Sequence, residues 1–182
     1  MSQFTTRVVL ALAVLGFGLA EERVAHANAG EGSIREAPEI VGIEHWINSG
    51  PLSIAELRGR VVLLNFWTFD CANCQHTLPH LVQWYEHYKD RGLVVIGIHT
   101  PELPRERGQA ETEAAVREHG IRYPVAQDND GATWKAYGNR YWPAFYFIDG
   151  RGLVRYERFG EGGYEESEAV IQRLLAEAER GD

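Results

Sequence analysis

Apolar residues along the chain fall into two kinds of run. RVVLLNFW (60–67) and LVVIGIHT (93–100) are apolar at nearly every position, the pattern of strands buried on both faces. AFYFID and LVRYERF, joined by Asp149-Gly150-Arg151-Gly152, predict a β-hairpin with suitable turn residues. Between these runs the spacing turns helical. Thr77–Asp90 is stopped by Gly92, and Glu106–His119 is stopped by Gly120. A short extended element is predicted at YPVAQ, followed by a helix over Ala132–Tyr137. Tyr164–Arg180 places Val170, Ile171, Leu174 and Leu175 on one side, an amphipathic final helix. The order β-α-β-α-β-α-β-β-α gives parallel strands linked through helices and an antiparallel hairpin at the end. The expected fold is therefore an α/β sandwich with a mixed sheet and helices on both faces.

The N-terminus breaks this pattern. Arg7 precedes an uncharged apolar run of 13 residues, Val8–Ala20, and Ala25-His26-Ala27 and Ala27-Asn28-Ala29 have the small-x-small form of a cleavage site. Residues 1–29 read as a secretory signal peptide, with an uncleaved anchor as the alternative, since spanning a bilayer takes about 20 apolar residues. Residues 30–41 read as a flexible lead-in and 42–182 as one domain in a periplasmic or otherwise extracytoplasmic setting. With 45% hydrophobic residues the 182-residue chain can form a core without disulfide staples. Its net charge of −8 argues against nucleic acid and anionic membrane surfaces as partners. That leaves the membrane to the N-terminal segment alone.

The chemistry concentrates in FWTFDCANCQHTLPH (66–80), which holds the only two cysteines, Cys71 and Cys74. A structural disulfide would be a poor staple, because a loop this short removes little unfolded-state entropy. A metal site would need more ligands. At about 100° per residue, Cys71, Cys74, Leu78, Leu81, Val82 and Tyr85 share one side of a helix, whereas His76 and His80 fall on the opposite, solvated side. The expectation is no metal. A redox pair explains more: it follows a buried strand and opens a helix, whose free N–H groups favour a thiolate on the first cysteine. Cys74, on the apolar stripe, is the expected buried resolving thiol and Cys71 the exposed nucleophile. Asp70, a carboxylate beside Cys71, disfavours its thiolate and so points toward a reductant.

Phe66-Trp67, the Cys71-x-x-Cys74 pair and Pro79 eight positions after Cys71 resemble the thioredoxin superfamily, and Trp142-Pro143 before a strand resembles its cis-proline loop. GIEHWINSGPLSIAELRGRVVLLNFW, GLVVIGIHTPE and NRYWPAFYFID are similar to the periplasmic thioredoxin domain of DipZ-type disulfide reductases, within the TlpA-like group. The resemblance covers about Gly42 to Phe159. It implies a thioredoxin-like three-layer α/β/α sandwich and a thiol–disulfide oxidoreductase with no cofactor beyond the Cys71–Cys74 disulfide. It also implies that Pro79 kinks the active-site helix and that Trp142 and Pro143 bind the substrate strand. The partners implied are disulfide-containing exported proteins. DipZ proteins carry a membrane electron-carrier domain and often a further domain. This chain shows neither, so a separate membrane electron donor is expected.

Two departures concern proton handling. Asn65 stands where many thioredoxins have a buried aspartate, and Thr77 where some TlpA-like reductases have a glutamate. Trp67 and Asn65 are expected to be structural at the active site, with Phe69 and Asp70 forming part of the substrate surface. His99 and Glu102 have two open readings, a border of the site or part of a solvated loop. Asp128-Asn129-Asp130-Gly131 lacks a full calcium ligand set and reads as a turn and helix cap. Trp46, Trp84 and Trp134 read as core or edge packing. A disulfide-forming oxidant of the same fold, a metal-carrying module using the same thiols and a thiol peroxidase remain the alternatives.

Overall fold

A computed structural model describes residues 34–181, so the expected signal peptide and the first residues of the lead-in lie outside the described part. The strands are β1 (Arg35–Glu36), β2 (His45–Ile47), β3 (Val61–Trp67), β4 (Leu93–His99), β5 (Val125–Gln127), β6 (Ala144–Ile148) and β7 (Leu153–Phe159). The helices are α1 (Ala72–Tyr88), α2 (Gln109–Glu118), α3 (Ala132–Ala136) and α4 (Tyr164–Arg180), with single 3-10 turns at Lys89–Arg91 and Pro104–Arg107. One mixed sheet runs in the order β1-β7-β6-β3-β4-β5-β2. The pairs β3–β4 and β4–β5 are parallel and the other four are antiparallel. Among the described residues no helix is long and apolar enough to cross a membrane.

Every residue of β3 is buried, because strand alternation feeds two cores at once. Leu63 and Trp67 join Leu78, Leu81 and Trp84 of α1 and Ile171 and Leu174 of α4 on one face. Leu64 and Phe66 join Ile96, Ile98, Tyr137 and Tyr146 on the other. The crossovers β3–α1–β4 and β4–α2–β5 step across the sheet in the same direction. Right-handed connections therefore put α1 and α2 on one face, and Val116 of α2 indeed packs into the α1 side.

Two expectations need correction. Residues 30–41 were expected to be flexible and the domain to begin at 42, yet β1 pairs with β7, Arg35 opposite Val154. Behind β1, the Tyr137 hydroxyl donates to the Pro38 carbonyl at 2.8 Å, and Glu39 accepts from the Ile54 and Ala55 N–H groups at 2.8 and 2.9 Å. The folded domain therefore reaches back to Arg35. The expected helix over 77–90 begins earlier, at Ala72, since Cys71 itself supplies the N-cap.

Candidate active site

Strand β3 ends at Trp67, and the loop Thr68-Phe69-Asp70 delivers Cys71 to the start of α1. Cys71 has extended backbone angles, φ −87° and ψ 111°, and its sulfur accepts from the Cys74 N–H at 3.2 Å. The loop is fixed by Cys71 N–H to the Thr68 carbonyl at 3.4 Å and by the Gln75 side-chain amide to the Phe69 carbonyl at 2.5 Å. Cys71 is half-buried and Cys74 is 0% exposed; both are free thiols. Burial pushes the Cys74 thiol far above its ordinary range, with the hydrogen bond to Cys71 and the Glu102 carboxylate pushing the same way. The two sulfurs are thus unequal: one lies at the surface with a backbone donor, and the other is buried and holds its proton.

Around them stand most of the residues singled out from the sequence. Asn65 is fully buried on β3; its amide donates weakly to the Phe66 and Ala144 carbonyls at 3.4 Å, and its Oδ1 has no partner among the described residues. Trp67 is fully buried, and its indole nitrogen sits over Gly97 of β4, where an added Cβ would lie 2.9 Å away. Thr77 spends its hydroxyl on the Cys74 carbonyl at 2.7 Å. Pro79 lies inside α1, where its missing N–H leaves the Gln75 carbonyl without the usual helical donor. His99 is buried behind the loop, stacked on Phe69 with centroids 5.4 Å apart and edge-on to Trp67 at 5.2 Å. Burial holds its imidazole down at about 4, the nearby Glu106 carboxylate offsetting part of the shift.

Asp70 is not the free carboxylate the sequence suggested. It is ion-paired with Arg105, which shares out its charge and weakens its expected effect on Cys71. Buried Glu106 ties the two loops together, accepting from the N–H groups of Asp70, Glu102 and Leu103 at 3.3, 2.7 and 2.6 Å. His76 and His80 face away from the thiols but are not simply solvated. His76 meets Glu161 at 3.2 Å and His80 stacks on Tyr164 at 3.6 Å. Among the described residues no group of three or more His, Cys, Asp or Glu side chains is placed to hold a metal ion.

The Trp142–Pro143 bond is cis. The Pro143 carbonyl accepts from the Gly160 N–H at 2.8 Å, and the Trp142 indole donates to the Thr100 carbonyl at 3.0 Å. Trp142 and Phe69 are half-buried at the edge of the same core that receives Cys74, as is Cys71. Asp128, expected as a cap, accepts from the Thr133 and Trp134 N–H groups and from the Thr100 hydroxyl, so it also anchors the loop that carries Trp142's partner. Trp84 is buried in the core and Trp46 half-buried at the β2 edge. Trp134 packs against the second core as expected, but sequence reasoning missed that its ring lies against Trp142, with centroids 4.1 Å apart, and missed Arg105 and Glu106 at the site. No local spacing marks these three, because loops distant in sequence bring them in.

Residues 36–157 match the model of the AhpC/TSA family. The chain belongs to the AhpC/TSA family. Within it, the chain is 31% identical to the thiol-disulfide oxidoreductase YkuV of Bacillus subtilis over 143 residues, 78% of this chain and 95% of that protein. It is 47% identical to Protein DipZ of Mycobacterium bovis over 148 residues, 80% of this chain but only 21% of DipZ. The chain thus spans about a fifth of the DipZ relatives it matches. A solved thioredoxin-like protein in its oxidised form superposes with a TM-score of 0.72 at 30% identity, covering 79% of this chain and 96% of the other. The fold of this AhpC/TSA member is accordingly thioredoxin-like, and an unequal dithiol at a helix N-terminus has the geometry that thiol–disulfide exchange requires.

Proposed function

We propose that the protein reduces disulfides of exported proteins outside the cytoplasmic membrane and is recharged by a separate membrane electron donor. The inequality of the two thiols carries this reading. The Cys71 thiolate attacks one sulfur of the partner's disulfide, forming a mixed disulfide and releasing the other sulfur as a thiolate. Cys74, protonated until then, gives up its proton, which ends on the partner's released thiolate, and attacks the Cys71 sulfur. The partner's second thiolate leaves and the Cys71–Cys74 disulfide forms. Two electrons pass to the partner. Trp142 and Pro143 would hold the partner's extended segment, with Phe69 and Asp70 bordering it.

The direction is supported by the resemblance of three separated motifs to DipZ-type disulfide reductases. Burial, reinforced by Cys71 and Glu102, keeps Cys74 protonated until the mixed disulfide has formed, which suits a resolving thiol. The setting is supported by the apolar N-terminal run and its small-residue exit. Beyond the membrane the surroundings are oxidising, so a reductant there needs electrons delivered across the bilayer.

Trapping tests the mechanism. Cys74→Ser should accumulate a mixed disulfide with a disulfide-bonded protein substrate, and Cys71→Ser should form none and lose all reducing activity. Equal trapping by the two variants would contradict the assigned order of attack.

A further inference from the structure

A groove of about 220 Å³ opens at the carboxyl ends of β4 and β5, beside the Trp142–Pro143 loop. Trp134 and Trp142 line it together with Thr100, Pro101, Arg107 and Asp130. In open α/β sheets this end of the parallel strands is where ligands bind, and the Cys71 loop leaves the sheet at the same end, after β3. Trp142 belongs to both places: it flanks the cis peptide bond and its indole lies against Trp134. Neither indole is fully buried. They leave half-exposed aromatic surface beside the point where a partner's strand would pass.

The charges at the mouth select the occupant. Arg107 and Asp130 face each other at 3.9 Å, with side chains 56% and 79% exposed. A cationic occupant would meet the guanidinium, and an anionic one the carboxylate. An uncharged flat side chain meets no like charge and can stack on the indoles. At about 220 Å³ the groove has room for one ring laid against the indoles. We infer that the groove is a specificity subsite for an aromatic side chain flanking the reacting cysteine in the partner protein. This rests on the disulfide-reducing reading of the same site.

The test uses the full-length protein and short peptides, each carrying one cysteine in mixed disulfide with a small thiol. The residues on either side of the cysteine are varied in turn among Phe, Ala, Arg and Glu. At one flanking position the Phe peptide should be reduced about tenfold faster than the Ala, Arg and Glu peptides. Trp134→Ala should bring that Phe-to-Ala ratio close to one. Because Trp134 also packs edge-on to Phe66 at 5.8 Å, Arg107→Glu provides a surface variant. It doubles the carboxylates at the mouth and should move the preference several-fold toward the Arg peptide at low salt. Peptides with serine in place of cysteine separate the groove from the chemistry: the Phe version should shift the indole N–H resonances of Trp134 and Trp142. Reduction of a small-molecule disulfide reports on the redox reading alone. Equal rates for all four side chains, an unaltered ratio in Trp134→Ala, or no indole shift with the serine peptide would overturn the subsite even where the dithiol is active.

Discussion

Cys74 and His99 both lie beyond the reach of water, and burial moves them in opposite directions because the charged form is an anion in one and a cation in the other. The folded, reduced protein keeps the Cys74 proton above pH 9, where the unfolded chain gives it up, so its stability falls as pH rises past that point. For His99 the sign reverses. Its folded value of about 4 lies below the ordinary 6.5, so between these the unfolded chain binds a proton that the folded one refuses. Stability contributed by neutral His99 is present above pH 6.5 and declines toward pH 4, by about 3 kcal/mol in all. His99 Nδ1 has no partner among the described residues, and His99→Phe gives up one long contact, Nε2 to the Thr68 hydroxyl at 3.4 Å. Denaturant unfolding at pH 7 and pH 4.5 should show the variant losing markedly less stability on acidification than the parent. Equal losses would mean that His99 is not the group responsible.

At the scale of elements, the packing of the Trp67 ring over β4 depends on one missing side chain. Asn65 pairs with Gly97, and the neighbouring Trp67 leans its indole onto the glycine. A methyl at Gly97 would lie 2.9 Å from the indole nitrogen, 3.3 Å from the Tyr123 ring and 3.4 Å from Val125. With no flexible side chain to give way, Gly97→Ala should destabilise by about 1–3 kcal/mol, read from the denaturant midpoint. An unchanged midpoint would show that the indole can shift. The same elements explain what could be read from the chain. Strands β3 and β4 and the β6–β7 hairpin declare themselves because burial on both faces demands long apolar runs. The edge strands β1 and β2, two and three residues long, carry too few positions for a pattern. Cys71, Cys74, Pro79 and Trp142-Pro143 were legible as local motifs. The site roles of Arg105, Glu106 and Trp134 were not, because the first two act through a loop about 35 residues from Asp70 and the third through a ring contact with Trp142. The partnering of Asp70 was hidden for the same reason.

For the whole molecule, the segment ahead of β2 acts as a strap. It adds β1 to one edge of the sheet, packs Ala37 and Ile40 under the second core and inserts Glu39 at the turn beginning at Ile54. Glu39→Ala removes two hydrogen bonds to a carboxylate and should cost about 1–2 kcal/mol of unfolding free energy. No measurable loss would show that water replaces the carboxylate without penalty. The strap lies on the face opposite α1 and α4, so the dithiol should keep its properties in this variant.

Those properties decide the account. The most direct measurement is the reduction potential of the Cys71–Cys74 pair, by equilibrating the protein against thiol buffers of known potential. The proposed reducing role predicts a thioredoxin-like value, near about −270 mV or lower. A value near about −120 mV, that of a strong oxidant, would contradict the proposed direction of electron flow.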